Sequence, residues 1–226
     1  MLDNNWELIN GPVAHQIEAL NATNQTNVLD GLIAFLLAHR GPAGNGKPPM
    51  PDQSSLLTLH AAGTTFLLAR PGEYRNIPVN VVGPGGGVVH EPPDWQHVPA
   101  WMETFFRHLS SVWTSGDALD VAAYALWAIN WIHPFRNGNG RTARAFSYAC
   151  LCLRMGTALP GAPTVIDQIM MNRPQYEAAL RAADNAFAAT KIPSLAEMRN
   201  FLMELLTKQV ASVFPALAAP HSPLTP

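Results

Sequence analysis

The sequence predicts an all-α fold, a helical bundle carrying one small β-hairpin. Apolar residues return at three- and four-residue spacings through most of the chain, whereas β-branched runs broken by Pro-Gly pairs occur only between Phe66 and Val89. The 226 residues allow one domain with an extension and can bury a real core. Charged residues are 13% of the chain against about 25% in an average soluble protein, and the apolar set is 48%. This excludes disorder for the bulk of the chain.

The first helical region is expected from about Pro12 to His39, with Val13, Ile17, Leu20, Leu29, Leu32, Ile33 and Leu36 as its apolar positions and Gly41 marking its end. The stretch 41–51 has a loop composition. Gly41, Gly46 and Lys47 begin a Walker A pattern, but Pro48 stands where a hydroxyl would meet magnesium and a helix would start, so the loop reading holds. The β segment carries Pro71-Gly72 and the run 84–87, and it reads as a hairpin over 66–89. Further helices are expected at about 98–112, 117–132, 140–155, 174–187 and 194–214. The fourth of these places Tyr176, Ala179, Leu180, Ala183 and Phe187 on one face, and the fifth opens on Ser194 and Glu197 at capping-box spacing. The tail 215–226 holds four prolines and little to bury, so it is expected to be mobile.

Fourteen Lys and Arg against sixteen Asp and Glu leave a formal net charge of −2. No global field draws this chain to nucleic acid or an anionic membrane, so any phosphate must be held locally. The N-terminus lacks a basic segment followed by an apolar run, and Cys150 and Cys152 stand too close in sequence to staple the fold, which together point to the cytoplasm. Both cysteines read as packing residues, Trp95, Trp101, Trp113, Trp127 and Trp131 as core or flap anchors, and His90, His97 and His108 as unrelated to a zinc site.

The dense chemical signal is IHPFRNGNGRTAR, residues 132–144. Proline disfavours helical geometry at the residue before it, so His133 sits where a helix stops. Gly138, Asn139 and Gly140 then turn into another helix whose first amides lack partners, a local anion site. Arg141 and Arg144, three apart, can send both guanidinium groups to one side of it. A neutral imidazole beside a phosphate cradle is equipped to take a proton from a hydroxyl.

This stretch resembles the signature HPFx[DE]GNGRxxR of the Fic (filamentation induced by cAMP) domain enzymes, matched at His133, Pro134, Phe135, Gly138, Asn139, Gly140, Arg141 and Arg144. The resemblance extends outward. Leu59-His60, the segment 72–75 and the segment 79–82 look like the family's hairpin flap, and Tyr176, Leu180, Ala183 and Asp184 look like its helix beside the nucleotide base. It implies a Fic-type helical bundle that transfers AMP from ATP to a Ser, Thr or Tyr hydroxyl of a target protein. His133, Asn139 and Arg141 would be catalytic; Gly138, Asn139, Gly140, Arg141, Arg144, Tyr176 and Asp184 would bind the nucleotide. Tyr74, Arg75, Val79 and Val81 would dock the target by strand addition.

The family's metal-binding acid is replaced by Asn137, so Mg²⁺ or Mn²⁺ is expected to be weakly held there. This departure keeps a second reading open: a degenerate domain that binds nucleotide or a partner without transfer, or one that moves another phosphate-linked group. Thr26, Asp30 and Gly31 resemble the family's inhibitory motif [ST]xxxE[GN], which implies that Asp30 pairs with Arg144. The expected organisation is an inhibitory helical extension over 1–50, a Fic catalytic domain over 51–214 and the tail. ATP and a docked protein are the expected partners, with no nucleic acid and no membrane, and with the oligomeric state open.

Overall fold

The computed structural model describes residues 6–39, 48–83 and 85–214; residues 41–47 of the loop expected over 41–51, and the tail over 215–226, lie outside them. Two compact units divide the chain, Met1–Thr157 and Ala158–Pro226. The N-terminal helix therefore belongs to the same unit as the signature.

Helix α1, Pro12–Ala38, starts with proline at its first position, where the missing N–H costs nothing. Its buried stripe is Ala14, Asn21, Gln25, Leu29 and Ile33, while Val13 and Leu20, expected inside, are 49% and 69% exposed. The stripe is polar at its centre for a reason. Helix α2, Gln53–Thr64, is capped by Asp52, whose carboxylate accepts from Ser55 N at 2.9 Å, and its far end presents carbonyls that lack helical partners. Asn24 Nδ2 donates to Ala62 O at 3.2 Å, Asn21 Nδ2 to Thr65 O just beyond at 2.8 Å, and Gln25 Nε2 to Leu59 O at 2.8 Å. Amides of α1 thus satisfy the end of α2. Sequence periodicity missed α2, and the family resemblance placed Leu59 and His60 in the flap; both are buried on this helix instead.

The hairpin is shorter than expected. Strand β1, Val81–Val82, pairs antiparallel with β2, Val88–His90, with an irregular register between Val81 and Val82, and residues 66–80 form turns and extended segments without a strand. A single 3₁₀ turn, Trp95–His97, leads into α3, Val98–Ser115. Helix α4, Ala118–Ile132, begins with Asp117 and Asp120 in a reciprocal capping box and is buried at every position from Val121 to Ile129. Helix α5, Asn139–Met155, lies against it, and Ser147 Oγ donates to Ala122 O at 2.8 Å to fix the pairing. Phe105 from α3 meets Tyr124 and Phe146 across this core. Cys150 and Cys152 are free thiols buried in α5, as their packing role requires.

The second unit consists of α6, Val165–Met171, which the sequence reading missed, α7, Arg173–Thr190, and α8, Ala196–Ala211. Two buried glutamines tie it together. Gln168 Nε2 donates to Leu205 O at 3.0 Å, and Gln209 Oε1 accepts from Val165 N at 2.8 Å. Tyr176, Ala179 and Ala183 are the buried face of α7, as expected, but Leu195 rather than Ser194 occupies the cap position of α8 and no side chain caps it. Among the described residues no helix is long and apolar enough to cross a membrane.

The polar stripe of α1 makes a test by contrast. Gln25→Ala should lower the unfolding free energy by about 1–3 kcal/mol, the cost of breaking a buried amide bond, whereas Leu20→Gln should stay within about 0.5 kcal/mol in the same urea titration. The reverse ranking would restore the apolar stripe that periodicity predicts.

Candidate active site

The sequence between α4 and α5 is held by main-chain hydrogen bonds from three directions. His133 follows α4 directly and takes a left-handed conformation, φ 51° and ψ 58°, a sparsely populated region for a side chain of this size. Such a turn exposes carbonyls, and the flap side of the unit supplies the donors. His90 Nε2 donates to Trp131 O at 2.8 Å, Arg75 Nε to His133 O at 2.8 Å, and Arg75 N to Pro134 O at 2.8 Å. Arg75 also donates to Ile77 O and Pro93 O and is only 3% exposed. Its side chain clamps the turn instead of facing a docked segment. Neither His90 nor Arg75 is recognisable as a clamp from sequence, because each acts on backbone atoms far away in the chain.

His133 is partly exposed, with Nδ1 3.4 Å from Asn130 O. A carbonyl can only accept, so the proton belongs on Nδ1 and the lone pair of Nε2 remains open. Burial pushes the imidazole pKa down to about 4, against the opposing pull of Asn130 O, and the positive groups His90 and Arg75 push it the same way. The ring is neutral near pH 7.

The turn itself is closed by Asn139. Its Oδ1 accepts from Phe135 N and its Nδ2 donates to Phe135 O, both at 2.8 Å, and the residue is 2% exposed. The side chain therefore shapes the loop, leaving its backbone to face an anion. Gly138 precedes α5 at φ 77°, and a Cβ there would lie 2.7 Å from Thr64 Cγ2, so glycine is required both by conformation and by space. Beneath it, His60 bridges three segments. Its Nδ1 accepts from Gly72 N at 2.8 Å, its Nε2 donates to Asn137 O at 3.0 Å, and its ring stacks on Phe135 at 3.7 Å. Tyr74 leans on the other side of Phe135, its ring centre 5.7 Å away and its hydroxyl buried. Burial raises the pKa of that phenol, so it stays protonated.

Two of the three signature-region arginines are occupied by acids of the N-terminal segment. Arg141 Nη2 donates to Glu18 Oε1 at 3.0 Å and Nη1 to Gly63 O at 3.0 Å, with the guanidinium 5.3 Å from the centre of the Trp6 ring. Arg136 pairs with Glu7 and Asn76. Arg144 folds over the start of α5, its Nη1 3.2 Å from where a Cβ on Gly140 would stand. Thr26, Asp30 and Gly31 are exposed on α1, and Asp30 makes no ion pair among the described residues. The acid of α1 that meets a signature arginine is Glu18, on Arg141, and not Asp30 on Arg144.

The structure thus gathers His133, Asn137, Gly138, Asn139, Gly140, Arg141 and Arg144 in one turn, with Tyr74 and Arg75 against it and Val79 and Val81 half-buried in the flap. Tyr176 and Asp184 lie on α7 in the second unit. At the position of the expected metal ligand, the side-chain oxygen meets the backbone. Asn137 Oδ1 accepts from Gly138 N at 2.7 Å, and no group of three or more His, Cys, Asp or Glu able to hold a metal stands together among the described residues.

Residues 51–151 match the model of the Fic/DOC family. Solved structures similar in fold include Fic-1 from C. elegans, at 17% identity and TM-score 0.65 over 96% of this chain and 56% of that one. This chain therefore spans little more than half of the worm structure. A Fic domain containing signaling protein from Bacteroides thetaiotaomicron aligns at 18% identity and TM-score 0.61, over 86% of this chain and 70% of that one. BepC from Bartonella tribocorum, solved with bound AMPPNP, aligns at 14% identity and TM-score 0.53, over 87% and 88%. No curated protein matches the chain.

Protonating His60 would set an N–H against Gly72 N–H, and burial holds its pKa down at about 4. The unfolded chain, with an imidazole pKa near 6.5, binds that proton more readily. Stability should therefore be full above about pH 6.5 and fall as pH drops toward 4, by a few kcal/mol. Urea midpoints across this window check the slope, and a His60 ring that titrates near 6.5 by NMR would contradict it.

Proposed function

Because residues 51–151 belong to the Fic/DOC family, we propose that this chain is a protein adenylyltransferase, moving AMP from ATP to a Ser, Thr or Tyr hydroxyl of a target protein. The observation that carries this reading is a neutral His133, its Nε2 open, at the mouth of a glycine turn lined by cations. The ATP analogue named in the BepC structure supports the choice of ligand.

In this reading the target hydroxyl attacks the α-phosphorus as His133 Nε2 takes its proton; the bond to the β-phosphate oxygen breaks and pyrophosphate leaves. Arg75 and His90 hold His133 in place without touching the reactants. The backbone amides after Gly138 face the α-phosphate, where preorganised donors meet the charge that develops in the transition state. Arg141 and Arg144 take the outer phosphates by paired hydrogen bonds. The hairpin suits the target, since a two-stranded ribbon leaves outer edges for an added strand, and Val82, Val88 and Val89 are exposed beside them.

Autoinhibition keeps its place in the proposal with a different acid. Glu18 holds Arg141 at 3.0 Å, so α1 competes with the outer phosphates for that guanidinium. A second reading, a domain that binds nucleotide without transferring it, is favoured by one observation, the commitment of Asn137 to the backbone.

Intact-mass spectrometry after incubation with ATP and candidate targets separates the two readings. Wild type should gain one AMP on itself or a target, and His133→Ala should lose about 10²- to 10⁴-fold in rate while still binding ATP. Since the neutral imidazole is the active form, kcat/KM should hold below pH 6.5 and fall only toward about pH 4; undiminished transfer by His133→Ala ends the mechanism.

Glu18→Gln should tighten ATP about fivefold or more, the lower end of an ordinary coupling between sites, read by calorimetry. An unchanged affinity would make Glu18 a structural partner only.

A further inference from the structure

The place where relatives carry a metal-binding acid is occupied here by an uncharged asparagine whose oxygen already accepts a backbone N–H. Asn137 Oδ1 accepts from Gly138 N at 2.7 Å, and Asn137 O accepts from His60 Nε2 at 3.0 Å. Mg²⁺ depends on one or two carboxylates besides the substrate phosphates. The carboxylates that approach the turn, Glu7 and Glu18, are both paired with arginines.

What the turn holds in addition is Arg136. One of its terminal nitrogens donates to Glu7 and the other to Asn76, and its side chain remains 29% exposed, so it reaches solvent and can change partner. Glu7 arrives on a short strap: Glu7 N and Leu8 N donate to Leu67 O at 3.0 and 3.2 Å, and Glu7 Oε2 accepts from Ala69 N at 2.9 Å. Trp6 anchors the strap in a small apolar cluster with Ala14, Leu67 and Leu68. An aspartate with Mg²⁺ presents one net positive charge to the phosphates, and a neutral asparagine with an arginine presents the same. A guanidinium also meets phosphate oxygens in pairs, which suits this task better than a point charge.

We propose that the turn binds the phosphate chain of its nucleotide without a divalent cation, with Arg136 supplying the charge and Glu7 occupying Arg136 until the phosphates displace it. The inference rests on the nucleotide reading above and assigns Arg136 as a phosphate-binding residue.

Calorimetry on the full chain tests it with two probes, ATP and inorganic tripolyphosphate, each in excess EDTA and in excess Mg²⁺. The expected result is an ATP affinity that changes less than about threefold between the two conditions, while Arg136→Gln weakens it about tenfold or more in EDTA and Glu7→Gln tightens it. The double variant Glu7→Gln/Arg136→Gln, which strands no carboxylate, should show the same loss with an unchanged melting temperature. Tripolyphosphate that binds in EDTA through Arg136 while ATP does not bind would sink the nucleotide reading and keep this one. ATP that binds only with Mg²⁺ would do the opposite. Silence from both probes in EDTA, or affinity unaffected by Arg136→Gln, overturns the proposal.

Discussion

The left-handed turn at His133 is the constraint on which the candidate site depends. A helix that stops abruptly presents carbonyls with no helical partner, and leaving them buried without donors costs about 1–3 kcal/mol each. His90 on Trp131 O and Arg75 on His133 O and Pro134 O remove that cost, and so fix the imidazole in a conformation that few histidines adopt. The flap is thus bonded into the site it overlooks. A substitution at Arg75 reaches His133 through the backbone, although their roles look separate in sequence.

The same logic runs through the anion turn. Asn139 and Gly138 lie in a stretch rich in phosphate-binding residue types, with His60 of α2 packed beneath it, yet the asparagine and the histidine form bonds inward and the glycine is required by a neighbouring methyl. The open Nε2 of His133, the backbone amides after Gly138 and the guanidinium groups are the groups proposed to face a ligand. The N-terminal segment meets two of these guanidinium groups with carboxylates, Glu7 on Arg136 and Glu18 on Arg141.

Much of this was legible from residues. The core helices α3, α4, α5, α7 and α8 follow apolar spacing, and the motif from His133 to Arg144 announced its turn through Pro134, Gly138 and Gly140. Helix α2 was hidden because serines, threonines and a glycine interrupt its leucines and its end is completed by the amides of α1, which no local pattern reports. The ion pair between α1 and a signature arginine was hidden for a related reason. Asp30 sits in a recognisable string but on the exposed face of α1, whereas Glu18, three residues ahead of buried Asn21, has no motif around it and is found only by seeing where α1 crosses α5. Arg136 likewise drew its meaning from Glu7, 129 positions away.

The central claim is that the turn following His133 receives a nucleotide's phosphates in line with that imidazole. A crystal structure of the full chain soaked with AMPPNP measures this directly. The account predicts the α-phosphate on the main-chain amides of residues 139 and 140, the outer phosphates on the arginines, and His133 Nε2 within hydrogen-bond reach of the point from which a hydroxyl would attack. A nucleotide seated away from residues 138–141, or a His133 ring turned from the α-phosphate, would contradict it.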